Sequence, residues 1–150
     1  MEKWGPPIWA FIHTVTVKIK NNEFLKNRDD ILPFIHNIST NLPCPVCTEH
    51  AKKYFMHNKL YSIRNKEDLK ILFLNFHNNV NERLGKPIQE IEVLEKYKTM
   101  SLNDVAYNYI VTYLKGTKNS NLTLNSSFVT SMYTKGVRKW LSHNLHMFED

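Results

Sequence analysis

The sequence predicts an all-α protein: a helical bundle with a helical extension at its C-terminal end. Three observations predict it. Apolar residues recur at three- and four-residue steps through most of the 150 residues. No stretch alternates apolar and polar residues over a strand's length, and no internal repeat is present. Gly and Pro number only 4 and 6, too few for a turn-rich all-β chain. At 17.8 kDa the length suits one domain with room for a further small helical element. A chain of this size buries enough surface to fold without disulfides or metal.

The elements follow in order. Pro6 and Pro7 open a first helix, where the missing amide donors cost nothing, and Ile8, Trp9, Ile12, His13 and Val17 form its stripe. A polar break is expected over Lys20–Glu23. Asp29 or Asp30 then caps a second helix carrying Ile31, Phe34, Ile35, Ile38 and Leu42, with Pro33 in its first turn and Pro43 beyond its end. The third begins at Cys44-Pro45-Val46-Cys47 and carries Ala51, Tyr54 and Phe55. The fourth is the most clearly patterned. Asn65 caps it, Glu67 and Asp68 favour its positive end, and Leu69, Leu72, Phe73, Phe76, Val80 and Leu84 follow, with Gly85 at C′.

Residues 86–100 read as an extended tail or short helical turns. Ser101, with Asp104 three residues on, starts another helix with stripe Val105, Tyr109, Ile110, Tyr113 and Leu114, ended by Gly116. Thr117–Ser127 reads as a polar loop. A last helix carries Phe128, Met132, Val137, Trp140 and Leu141. The two apolar stripes after residue 100 need burial. The expectation is an independent lobe meeting a second subunit or a partner protein.

Charge excludes little by itself. The net charge is +6, but the excess is spread: 15 basic and 11 acidic residues up to position 100, then 5 and 3. A phosphate-backbone binder clusters its cations, so nucleic-acid binding is not expected. No run approaches the ~20 apolar residues of a membrane span. The start, MEKWGPPIW, has no basic-then-apolar leader pattern, so cytoplasmic residence is expected. Two cysteines cannot make a disulfide framework.

Three local features carry chemistry. Cys44 and Cys47, three positions apart at a helix start, suit a redox disulfide, because a helix N-terminus stabilises a thiolate. A zinc site using His50 and His57, or two inert thiols, are the alternatives. Haem attachment would need His at position 48, which is Thr. The second feature is His77-Asn78-Asn79-Val80-Asn81 leading to Leu84-Gly85-Lys86-Pro87. With His77 at zero, Asn81 falls near 40° and Asn78 near 100°, beside Phe73 and Val80. These groups form either a self-satisfied core network or donors to a flat polar ligand, with Lys86 for a phosphate. The third is Trp4-Gly5-Pro6-Pro7-Ile8-Trp9 with His13, which shares a helix face with Trp9. It serves as plain core or as a platform for an aromatic ring. A redox pair needs a two-electron acceptor, and a flavin meets that need.

In this order the three features resemble the Erv/ALR-type FAD-linked sulfhydryl oxidases, including the small forms of large DNA viruses. The match runs through Trp9-Ala10-x-x-His13-Thr14, Phe34-Ile35-His36, Pro43-Cys44-x-x-Cys47-x-x-His50 and His77-Asn78-x-Val80-Asn81-x-x-Leu84-Gly85-Lys86-Pro87, within residues 4–97. The resemblance implies an FAD-binding bundle of four main helices plus a short fifth over 1–100, usually dimeric, with an extension of unassigned role over 101–150. It implies that Cys44–Cys47 is the catalytic disulfide, with Cys47 against the flavin and Cys44 meeting the incoming thiol. Trp9, His13, His50, His77, Asn78, Val80, Asn81, Lys86 and Tyr97 are the implied FAD contacts, and Gly5 lets the backbone approach. No metal is implied.

The reaction would make disulfides in a thioredoxin-like or Cys-x-x-Cys protein, with O₂ as acceptor and H₂O₂ as product. The alternatives are a zinc-binding or a non-flavin helical interaction module. The chain departs from the family in lacking a second, shuttle cysteine pair. Leu72 also stands where cellular members often have Trp. The abundance of Asn, Lys and Ile is of the kind an A+T-rich genome imposes, as in a large DNA virus or a parasite. For a virus, the expected place is the host cytoplasm or the virion.

Overall fold

The computed structural model describes residues 4–118 and 124–150, and among these it holds seven α-helices and no strand. The four main helices are α1 (Gly5–Lys18), α2 (Asn21–Thr40), α3 (Pro45–His57) and α4 (Lys66–Arg83). The tail after α4 makes a 3-10 turn, Ile91–Leu94, and the short α5 (Glu95–Lys98). Then come α6 (Leu102–Lys118) and α7 (Leu124–Asn144). The all-α expectation, four main helices with a short fifth, holds.

Several ends lie where the local chemistry puts them. Pro6 opens α1, and Pro45 opens α3 behind the Cys44 cap. The Asp68 amide donates to the Asn65 side chain at 2.8 Å, and the Asp104 amide to Ser101 Oγ at 3.2 Å. Such caps are worth about 1 kcal/mol each. Gly85 turns the chain out of α4 at φ +68°, a conformation that favours glycine.

Three expectations need correction. The polar segment Lys20–Glu23 is a helix start: α2 begins at Asn21 because Phe24 is buried and anchors that turn. The discontinuity falls instead at Asn27, whose backbone leaves helical values at φ −117°, ψ 22°. The Asn27 side-chain amide there donates to the Glu23 carbonyl and carboxylate, both at 3.0 Å. Nor does Gly116 end α6. The helix runs on to Lys118, and Gly116 sits against Pro43, where a Cβ would come within 3.0 Å of the ring. The absent side chain serves close packing, not a stop. The expected loop over Thr117–Ser127 is helical at both ends, and its middle, 119–123, lies outside the described residues.

The extension is also no separate lobe. Helix α1 is the centre of the molecule, with α4 and α5 along part of its surface and α6 along another. Tyr109 of α6 is fully buried with its ring 4.7 Å from Phe11. Trp140 of α7 stacks on Phe34 of α2 at 3.8 Å and 7°. Val105, Ile110, Val137 and Leu141 share one apolar core with Ile8, Ile12, Ile35 and Phe73. The end of the chain ties back as well, for the Glu149 amide donates to the Lys18 carbonyl at 2.8 Å. Phe128 and Met132, expected to be buried, are exposed.

Candidate active site

Cys44 and Cys47 form a disulfide at the N-terminus of α3. The segment between α2 and α3 is short and tied at both ends. The Leu42 amide donates to Thr48 Oγ1 at 3.1 Å, and the Cys47 amide donates to Cys44 Sγ at 3.2 Å. The helix start thus aims an amide at the Cys44 sulfur, a setting that favours thiolate over thiol there once the bond opens.

Beside the disulfide lies a cavity of about 1030 Å³, floored by α1 and α4 and closed by the segment 86–100. This is at the upper end of the size range of cofactor sites. Cys47 lines it; Cys44 does not. Its aromatic wall is built on Trp9, whose ring stacks on His77 at 3.9 Å and 9° and meets Phe76 edge-on at 5.3 Å. Tyr97 closes the far side, with Lys96 Nζ 5.0 Å from its ring centre.

Gly5, Trp9, His50, His77, Val80, Asn81, Lys86 and Tyr97, all expected at the site, line this one cavity. His13 and Asn78 do not. His13 stands behind Trp9, fully buried, with Nε2 sharing a 2.9 Å hydrogen bond with His77 Nδ1. Asn78 faces the return segment: its amide donates to the Gln89 carbonyl and its oxygen accepts the Gln89 amide, both at 2.9 Å. Asn81 does both jobs. It lines the cavity while its side chain donates to the Pro87 carbonyl at 3.2 Å and its carbonyl accepts the Lys86 amide at 2.8 Å. The asparagines of the motif thus clamp the segment after Gly85 onto α4. Leu72 is buried in the core away from this cavity.

Sequence reasoning missed Arg83 and Lys96, two further cations on the cavity wall. Arg83 had a weak signal, three residues after Val80 on α4; Lys96 had none. With Lys86 they make the wall basic, and no Asp or Glu is among the described residues lining it. The histidines are held neutral in this field. Burial, then His77 and Lys96, pull His13 from 6.5 to about 3. Burial, then Lys96 and Lys86, pull His77 to about 4. Burial and Arg83 lower His50, against a hydrogen bond it donates to Asn79, which raises it. His13 Nδ1 is buried without a partner. Among the described residues no three His, Cys, Asp or Glu side chains converge as a metal-ligand group.

Residues 6–100 match the model of the Erv1 / Alr family, nearly two thirds of the chain. The chain belongs to the Erv1/Alr family. It is 33% identical over 108 residues to an FAD-linked sulfhydryl oxidase of African swine fever virus, covering 71% of this chain and 90% of that one. The same enzyme from a second isolate is 35% identical over 88 residues, covering 59% and 73%. A mitochondrial FAD-linked sulfhydryl oxidase of Schizosaccharomyces pombe is 29% identical over 93 residues, covering 61% and 51%. No solved structure gives a significant match. The family match stops at residue 100, so α6 and α7 lie outside this Erv1/Alr unit while packing on it.

Proposed function

We propose that this Erv1/Alr-family chain is an FAD-linked thiol oxidase that makes disulfide bonds in a protein substrate. One observation carries the reading: of the two bonded cysteines, only Cys47 faces a cavity with aromatic walls and three cations, and no acid is among the described residues lining it. The residues present fit FAD. A flat ring system suits the face of Trp9, Phe76 and Tyr97, and a diphosphate suits Arg83, Lys86 and Lys96. A Cβ at Gly5 would meet no protein atom within 4 Å, so the backbone stands open to the cavity. We assign FAD binding to Gly5, Trp9, His50, His77, Val80, Asn81, Lys86 and Tyr97, with Arg83 and Lys96 added. His13 and Asn78 act behind them, one orienting His77 and one holding the return segment.

The chain's own chemistry is thiol–disulfide exchange. A substrate thiolate attacks Cys44 Sγ; the Cys44–Cys47 bond breaks and its electron pair leaves on Cys47 as thiolate. The substrate's second thiolate then attacks its own sulfur in the mixed disulfide and releases Cys44. The substrate gains a disulfide, and the cysteine pair holds the two electrons. The Cys47 amide at the start of α3, which donates to Cys44 Sγ, stabilises Cys44 as the thiolate released in the second exchange. Bound FAD would supply the two-electron acceptor that restores the disulfide, with O₂ the final acceptor and H₂O₂ the product.

A thioredoxin-like or Cys-x-x-Cys protein is the substrate class, because with only two cysteines the chain has no internal shuttle pair. A homodimer acting in the cytoplasm of an infected host cell, or in the virus particle, completes the proposal. African swine fever virus relatives support the viral setting. Among the described residues no helix is long and apolar enough to cross a membrane. The test is an absorbance spectrum with an oxygen-uptake assay. Purified protein should be yellow, absorb near about 450 nm as oxidised flavins do, and consume O₂ with dithiothreitol. A colourless protein inert toward dithiothreitol overturns the reading.

A further inference from the structure

We infer that the α6–α7 extension forms a docking wall for the protein substrate beside Cys44, suited to an apolar segment with acidic flanks next to the reacting thiol. The inference rests on the thiol-oxidase reading above and names the partner surface for that site.

Two placements carry it. Gly116, near the end of α6, packs directly on Pro43, the residue before Cys44. Helix α7 runs back along α6, with Tyr133 on Tyr113, and along α2 in the opposite sense, since Trp140 meets Phe34 while Lys20 Nζ, near the start of α2, donates to the His146 carbonyl beyond the end of α7. Trp140 stacks on Phe34, while Met132, Tyr133 and Gly136 share a groove with Pro33, Asn37 and Ile38. Residues one turn before Met132 therefore lie toward Asn41–Pro43, at ~1.5 Å per residue along both helices. The start of the described part of α7 and the end of α6 thus converge on the segment that holds Cys44.

From position 128 on, where the side chains of α7 are described, three apolar ones are uncovered. Phe128, Val129 and Met132 are 66%, 64% and 57% exposed, and Val46, between the two cysteines, is 70% exposed. Thr130, Thr134, Val137 and Leu141 form the buried face of α7, so Phe128 and Met132 lie on its outer face, which turns from apolar there to basic at Lys135 and Lys139. A substrate must touch the enzyme at Cys44 Sγ, and the contact of Gly116 with Pro43 sets the end of α6 beside the residue that precedes Cys44. Charge selects the partner. Between Leu124 and Asn144, α7 carries Lys135, Arg138 and Lys139 and no acid, and all three are exposed. An apolar anchor bordered by acidic residues complements that face.

Two synthetic dithiol peptides test this with the full-length holoenzyme. One has a Cys-x-x-Cys core flanked by Leu and Glu, the other the same core flanked by Ser and Lys. Dithiothreitol is the control. The Leu/Glu peptide should show a KM about tenfold lower than the Ser/Lys peptide. Phe128→Asp with Met132→Asp should abolish that preference with dithiothreitol turnover unchanged. Lys135→Glu with Lys139→Glu, which alters only exposed charges, should narrow or invert it, and decides the matter if the first variant does not fold. Equal KM values for both peptides on the unaltered protein, or a preference that survives the charge reversal, overturns the docking wall. A protein that oxidises neither peptide nor dithiothreitol instead overturns the thiol-oxidase reading.

Discussion

His13 and His77, 64 residues apart in sequence, share one hydrogen bond of 2.9 Å between Nε2 and Nδ1 and stack against the same Trp9. With both rings neutral, one nitrogen of the pair donates and the other accepts. That arrangement fails if both are protonated, because two N–H groups then face each other. Lys96 and Lys86 add to the repulsion.

Stability should therefore fall in mild acid. Above pH 6.5 the histidines are neutral in both folded and unfolded chains and contribute no pH dependence. As pH drops from 6.5 toward 4, the unfolded chain binds protons that the folded pair, at about 3 and about 4, refuses. The unfolded state gains, by up to about 1.4 kcal/mol per pH unit for the buried His13. His36 and His50, also lowered by burial, act in the same direction. Thermal melts from pH 7.5 to 4.5 should show a steady decline in Tm, shallower in His13→Asn. A flat profile would refute the neutral buried pair.

The two cysteines should separate spectroscopically. Cys44→Ser leaves Cys47 free on the cavity wall. Its thiolate should give a long-wavelength charge-transfer band with the bound flavin. Cys47→Ser should keep its flavin and show no band, and both variants should lose turnover with dithiothreitol. A band in Cys47→Ser alone would reverse the two roles.

Loosening the return segment should release the cofactor. His77→Ala removes part of the aromatic wall, and Asn81→Ala removes the bond to Pro87. Either should lower FAD content and Tm together. A ligand at a hundredfold excess over Kd contributes about 2.7 kcal/mol, and one hydrogen bond about 1 kcal/mol. Asn78→Ala, off the cavity wall, should act the same way through Gln89. Full flavin content and an unchanged melt in all three would remove the site from α4.

The extension should prove part of the fold. Ending the chain at Met100 strips Tyr109, Val137 and Leu141 from the core shared with Phe11 and Ile35. Each large apolar side chain so lost is worth about 1.5–3 kcal/mol of burial, so the truncated chain should be unstable. A milder probe is Gly116→Val, which forces side-chain carbon against Pro43. Overpacking of this kind costs about 1–3 kcal/mol and should slow exchange at Cys44 with FAD content intact. A truncated chain that melts like the full one would restore the separate lobe.

Much of this was legible in the sequence, and the misses share a cause. The start of α4 at Asn65 and its exit at Gly85 are decided by hydrogen bonds and φ angles within a few residues, so spacing and residue type foretell them. Gly116 looked like another exit. Its reason is Pro43, 73 positions earlier, and no local pattern carries that. Phe128 and Met132 share one face of α7, opposite Val137 and Leu141, and composition alone made both faces look apolar; the packing buries the one that carries Thr130, Thr134, Val137 and Leu141.

By itself the sequence determined the all-α class, the helix that presents the cysteine pair at its start, and the motifs that place the chain in its family. These rest on contacts between residues close in the chain, or on residue order alone. Tertiary structure alone decided that His13 stands behind Trp9, that Asn78 holds the return segment instead of lining the cavity, and that Arg83 and Lys96 join Lys86 on its wall. It also decided that α6 packs along α1 and α7 on α6 and α2, instead of both standing apart. Those outcomes depend on which helix faces pack together. Packing is settled by shape and burial across the whole molecule, which helical spacing does not encode.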